Sequence, residues 1–180
     1  LFEITIDLIR KNIPTSDIYI RPFGYAGSEY IPPSLEDDEV FQCCIFMATL
    51  GEYLPISQGV DVMVSNLRRI SDNAIASRGK ISGAYINSLI ARKEAQQSGY
   101  HDAIFLTESG SVSEGSAMNI FLVRDDVLVT PQVSDDVLEG ITRRSVIRIA
   151  QDLGYSVVER TVDRTELYIA QEIFFCGTAA

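Results

Sequence analysis

The chain has no tryptophan, a single histidine (His101) and three cysteines, two of them adjacent (Cys43, Cys44). An odd cysteine total with two neighbours does not build a disulfide framework, which points to a reducing, cytoplasmic setting. No CxxC pair accompanies the lone histidine, so a structural zinc has no ligand set and no metal site is expected. A Ser-His-Asp or Cys-His centre would have to rest on His101, which follows Gly99-Tyr100 and reads as an exposed turn residue. Neither GxxxxGK[ST] nor GxGxxG occurs. No apolar run approaches the roughly 18 residues of a membrane helix, and no basic segment with an apolar core opens the chain as a secretory signal. Basic residues are in deficit too. Fifteen Lys and Arg against 25 Asp and Glu leave a net charge of -10, which argues against nucleic acid or an anionic membrane as the main partner. Carboxylate chemistry remains, or a lysine working with a cofactor.

What is present is an ordinary globular composition, 46% hydrophobic and 22% charged over 180 residues. Residues 1–12 read as a helix, with Leu1, Ile4 and Leu8 on one face and Pro14 as its stop. Residues 18–21 read as a short strand ending at Pro22, with Tyr19 and Arg21 on one face. Residues 24–38 are loop-like, and the apolar residues 39–50 suit a buried strand. Residues 51–59, with Pro55, read as a connection, which divides the chain into 1–50 and 60–180. In the second part Val60, Val62 and Val64 alternate as a strand, followed by Arg68-Arg69 and a polar stretch leading to Lys80.

Residues 83–98 read as a helix with Tyr85, Leu89, Ile86 and Ile90 at four-residue spacing and Gly99 at its end. Strands follow at 103–106, at 119–123 and 127–129 around Asp125-Asp126, and at 156–159 and 172–176. Gly140-Ile141-Thr142 opens a helix whose apolar stripe is Val146, Ile149, Ala150 and Leu153, with Gly154 closing it. Alternating strands and helices make this an α/β domain. The chain opens on Leu1 and stops soon after a strand, so material is expected to be missing on both sides.

Some of these residues suit a ligand site. The loop entering the helix at Gly140-Ile141-Thr142 offers free N–H groups and the positive end of a dipole to an anion, although Thr142 also suits a plain helix cap. Gly177-Thr178 lies at a strand end, where α/β sheets bind ligands. By position alone Lys80 is a solvated surface lysine and Glu114, before Gly115-Ser116, a turn residue.

Taken together, KISGAYINSLIARKEA (from Lys80), GYHDAIFL, SVSEGSAMNIFLV, LEGITRRSVI and EIFFCGTAA resemble, in order and spacing, the class IV (fold type IV) pyridoxal-phosphate aminotransferases. The Lys-x-x-Gly-x-Tyr and YIRP signatures look most like the branched-chain amino acid aminotransferases. The likeness runs from Leu1 to Ala180, with a short deletion-like region near Pro55.

That resemblance implies an α+β two-domain subunit of the fold type IV class. Residues 1–50 would be the C-terminal part of its small N-terminal domain and 60–180 the large cofactor domain, lacking its C-terminal end. It implies pyridoxal 5′-phosphate held by Lys80 as a Schiff base, by Tyr85 at the phenolic oxygen and by Glu114 at the pyridine nitrogen. Ile141, Thr142 and Thr178 would hold the phosphate, and Tyr19, Arg21, Tyr53 and Ala179 would shape the substrate pocket, Arg21 taking a carboxylate. The physics suits these roles: the lysine can act as base then acid, an anionic Glu114 keeps the ring nitrogen protonated, and Arg21 offers a fork to a carboxylate.

The implied reaction is transamination of Leu, Ile or Val with 2-oxoglutarate in a homodimer or higher homo-oligomer. Alternatives are a D-amino acid aminotransferase, an aminodeoxychorismate-lyase-like enzyme and a non-catalytic α/β binding module. Two departures stand out. Ala117-Met118 occupy the places of the family's usual Gly-Glu, and Leu67 that of a tryptophan.

Overall fold

Local chemistry sets the first elements. Helix α1 (Phe2–Asn12) carries Glu3 in its first turn and Arg10 and Lys11 in its last, the polarity its dipole favours. It ends because Ile13 turns left-handed (φ 44°), its N–H donating to the Ile9 carbonyl. Strands β1 (Ile18–Ala26) and β2 (Phe41–Thr49) then pair antiparallel, from Ile18 opposite Thr49 to Ala26 opposite Phe41. The computed structural model describes residues 1–27, 41–51, 54–55 and 58–178.

Two expectations for this part need correction. The first strand does not stop at Pro22 but runs on to Ala26, because among the described residues β1 and β2 form a two-stranded ribbon, and a missing N–H costs nothing on its open edge. The second strand is not buried: only Ile45 and Met47 are half-covered, since a ribbon offers its residues few neighbours. Of the stretch expected to be loop, residues 24–26 are strand and 28–38 lie outside the described residues.

The chain divides into two compact units, Leu1–Tyr53 and Leu54–Ala180. In the second, β3 (Val62–Arg68) runs parallel to β4 (Asp102–Leu106), which pairs antiparallel with β5 (Val112–Gly115). A second sheet has the order β8-β7-β6-β9, from β6 (Asn119–Arg124), β7 (Val127–Thr130), β8 (Val157–Glu159) and β9 (Glu172–Cys176). Each parallel pair is bridged by a helix, α2 (Tyr85–Gln97) between β3 and β4 and α3 (Ile141–Asp152) between β7 and β8. The β6–β7 hairpin turns on Asp125 and Asp126, both at positive φ (51° and 61°), the pattern whose twist matches that of the strands.

Ile104, Leu106, Val112, Ile120, Leu122, Val129 and Val162 form the core, and Phe121 stacks on Phe174 at 5.2 Å. A second cluster joins Ala91 and Ala95 of α2 to Ala103 and Phe105 of β4.

The helices bury other faces than their apolar stripes suggest. A 3-10 turn (Ser82–Ala84) precedes α2, which buries Ser88, Ala91 and Ala95 and leaves Ile86, Leu89 and Ile90 60%, 63% and 52% exposed. In α3, Ala150 is buried as expected, but Ile149 and Leu153 are exposed and Arg143 is buried instead. Small side chains let a helix lie close to a sheet, and the guanidinium of Arg143 is held by the Pro131 carbonyl and the Glu159 carboxylate. Among the described residues, no helix is long and apolar enough to cross a membrane.

Candidate active site

Four chain segments of the second unit meet around a cavity of about 260 Å³. They are the loop from β3 to α2, the β5–β6 connection, the start of α3 and the end of β9. Lys80, Tyr85, Glu114, Ile141, Thr142 and Thr178 all line it.

The loop carrying Lys80 is shaped by one carboxylate. Asp72 Oδ1 accepts the Ser77 N–H (2.8 Å) and hydroxyl (2.7 Å), and Arg78 donates to Oδ2 at 3.0 Å. Hydrogen bonds from Ser77, helped by Arg78, hold Asp72 below the usual carboxylate range. Arg78 Nε also meets Glu139 at 2.9 Å, and Asp136 accepts the Asp72 N–H at 2.9 Å. The Lys80 loop is thus tied to the segment that delivers α3. The chain has three lysines, Lys11, Lys80 and Lys93; Lys11 lies in α1 and Lys93 in α2, and of the three Lys80 lines the cavity.

Glu114 sits at the end of β5 and is buried with three donors around it. Arg69 reaches Oε1 at 2.9 Å, while Asn119 Nδ2 (3.0 Å) and the Leu138 N–H (3.2 Å) donate to Oε2. Loss of water outweighs these partners and the nearby Lys80 charge, and pushes its pKa up to about 7. The group is poised to ionise when a further cation arrives. Ser116, also in the wall, is buried, and among the described residues its hydroxyl has no hydrogen-bond partner.

At the other end, the first-turn N–H groups of α3, among them those of Ile141 and Thr142, have no partner within the helix, so they suit an anion. Gly140 precedes them with its backbone packed against the Asn119 amide oxygen; a Cβ there would overlap it. Cys176 completes the wall, and burial pushes its thiol up to about 11, which makes it a neutral surface and not a nucleophile.

In the first unit Tyr19 and Arg21 do share a face. Arg21 donates to the Tyr19 hydroxyl at 3.3 Å and lies 5.1 Å from its ring centre. Tyr53 and Ala179 lie outside the described residues. Sequence reading missed Arg69 and Asn119. Arg69 carried a faint signal, a basic residue just after a strand, but what it pairs with is set only by the fold.

Residues 1–180 match the model of the family described as Amino-transferase class IV. A probable branched-chain-amino-acid aminotransferase of Aquifex aeolicus is 43% identical over 181 residues, covering all of this chain and 58% of that protein. The branched-chain aminotransferase of Thermoproteus uzoniensis, solved with norvaline, superposes with a TM-score of 0.93 at 40% identity, over 99% of this chain and 59% of that one. The branched-chain amino acid aminotransferase of Thermobaculum terrenum, solved in its PLP-form, gives 0.88 at 37% identity, over 99% and 58%. This chain spans somewhat under three fifths of the length of these proteins.

Proposed function

The chain belongs to the class IV aminotransferases, and from that premise we propose that the protein it represents transfers the amino group of branched-chain L-amino acids to 2-oxoglutarate with pyridoxal 5′-phosphate. One observation carries the reading: a lysine, a tyrosine, a buried carboxylate and a helix N-terminus converge on one cavity.

The cavity's donors fit that cofactor. A carboxylate with a raised pKa suits a protonated pyridine nitrogen, the start of α3 with Thr142 and Thr178 suits a phosphate, and the Ser116 hydroxyl leaves a further donor for the phosphate. When bound, pyridoxal phosphate supplies an electron-accepting ring and a carbon to which the amino group is passed.

The protein's own groups do the rest. Lys80 Nζ would serve as general base at the substrate Cα and then as general acid. Glu114, made anionic, would hold a protonated ring nitrogen. Tyr85 would offer its hydroxyl to the phenolic oxygen. Arg21, steadied by Tyr19, offers a two-pronged donor for a substrate carboxylate. We assign residues 1–50 to the C-terminal part of the small N-terminal domain, residues 51–59 to the connection and residues 60–180 to the large cofactor domain. A cytoplasmic homodimer or higher homo-oligomer completes the reading.

The test is a two-substrate assay on the full-length natural protein with added pyridoxal phosphate. Glutamate should form from L-leucine only when 2-oxoglutarate is present, and D-leucine should give none. Product without a 2-oxo acid acceptor would identify a lyase and end the transaminase reading.

A further inference from the structure

We propose that Asn119 is a positioning residue that sets the spacing between the Glu114 carboxylate and the N-terminus of α3. The idea rests on the pyridoxal phosphate reading of the same cavity.

Asn119 opens β6 and is held there by the sheet, in register with Cys176. It is buried, and both hydrogens of its amide have a use. Nδ2 donates to Glu114 Oε2 at 3.0 Å and to the Leu138 carbonyl at 2.9 Å. The Leu138 N–H returns to the same Oε2 at 3.2 Å, which closes a ring of three residues. On its other side the Asn119 amide oxygen packs against Gly140, the residue before α3, so closely that no side chain fits there. One amide therefore touches the group facing a ring nitrogen and the backbone that aims the phosphate-binding turn.

A ligand with a cationic ring at one end and a phosphate at the other gains affinity only if both receptors stand at the right separation beforehand. Asparagine suits the role because it offers two donors and an acceptor on a short stem. Aspartate keeps the shape but loses the donors.

The experiment titrates the cofactor-free full-length protein with three probes: pyridoxal 5′-phosphate, pyridoxal and inorganic phosphate. Asn119→Ala should weaken the whole cofactor by about tenfold or more, the scale of a lost hydrogen bond to a charged group. Either half alone should change by less than about twofold, because each receptor survives. Asn119→Asp should do no better than alanine. Gly140→Ala, which leaves β6 intact and displaces the amide from the far side, should show the same pattern and serves if Asn119→Ala does not fold.

Unchanged cofactor affinity in the variants overturns the proposal, as does wild-type affinity in Asn119→Asp. So does a loss of phosphate affinity equal to that of the whole cofactor, which would mean Asn119 merely keeps the helix in place. A wild-type protein that binds no cofactor overturns the functional reading itself; wild-type uptake with indifferent variants overturns this proposal alone.

Discussion

Lys80→Ala in the full-length protein should lower turnover by about three orders of magnitude or more, the scale of a lost nucleophile and proton carrier. The variant should still bind pyridoxal phosphate, since Glu114 and the start of α3 are untouched. Borohydride treatment followed by peptide mapping should place a pyridoxyl mass on the Lys80 peptide of the wild type and nowhere in the variant. Label on any other lysine, or a variant with near-normal turnover, would remove Lys80 from the mechanism and leave the cavity as a binding site.

Glu114→Gln should lower turnover by about 10²- to 10³-fold, because a neutral amide cannot hold the ring nitrogen in its protonated form. Its second signature lies in the cofactor-free protein. Glu114 titrates near 7 in the fold and near the ordinary 4.5 when unfolded, so between those values the native state keeps a proton that the unfolded chain has released. Stability therefore falls as pH rises through that window, by up to about 3 kcal/mol. The slope should be missing in Glu114→Gln. Its absolute stability will also reflect an Arg69 guanidinium left without its anion, so the pH dependence is the readout to compare. Denaturant titrations at pH 5 and pH 8 would decide it; identical slopes in both proteins would mean that Glu114 is already ionised throughout.

Much of this site could be read from the chain, because its motifs are local. Gly140-Ile141-Thr142 reads as the entry to a helix because an amphipathic stretch follows it, and the Asp125-Asp126 turn fixes a hairpin from two residues. What stayed hidden depends on who faces whom. Arg69 and Glu114 become partners only when β3, β4 and β5 assemble, and the double use of the Asn119 amide appears only when the 138–140 segment arrives beside it. Periodicity failed in a related way on α2. It marks a face as apolar without saying whether anything covers it, and here Ser88, Ala91 and Ala95 face inward while Ile86, Leu89 and Ile90 do not. Pro22 misled for the opposite reason, since a residue that breaks a central strand is tolerated on a free edge.

The strand order β8-β7-β6-β9 carries an implication for time. The β6–β7 hairpin is joined by two residues and closes on the scale of about 1–10 μs. β9 reaches β6 from far along the chain, after α3 and β8 have been laid down, and such long-range pairings are slow. Pulse-labelled hydrogen exchange during refolding should thus protect the Val129 amide before that of Phe174; simultaneous protection would contradict the order. Gly177 and Thr178 arrive with β9, so the last wall of the cavity is the last to be built. On the proposed reading, a cofactor that needs this wall would be captured after β9 has docked.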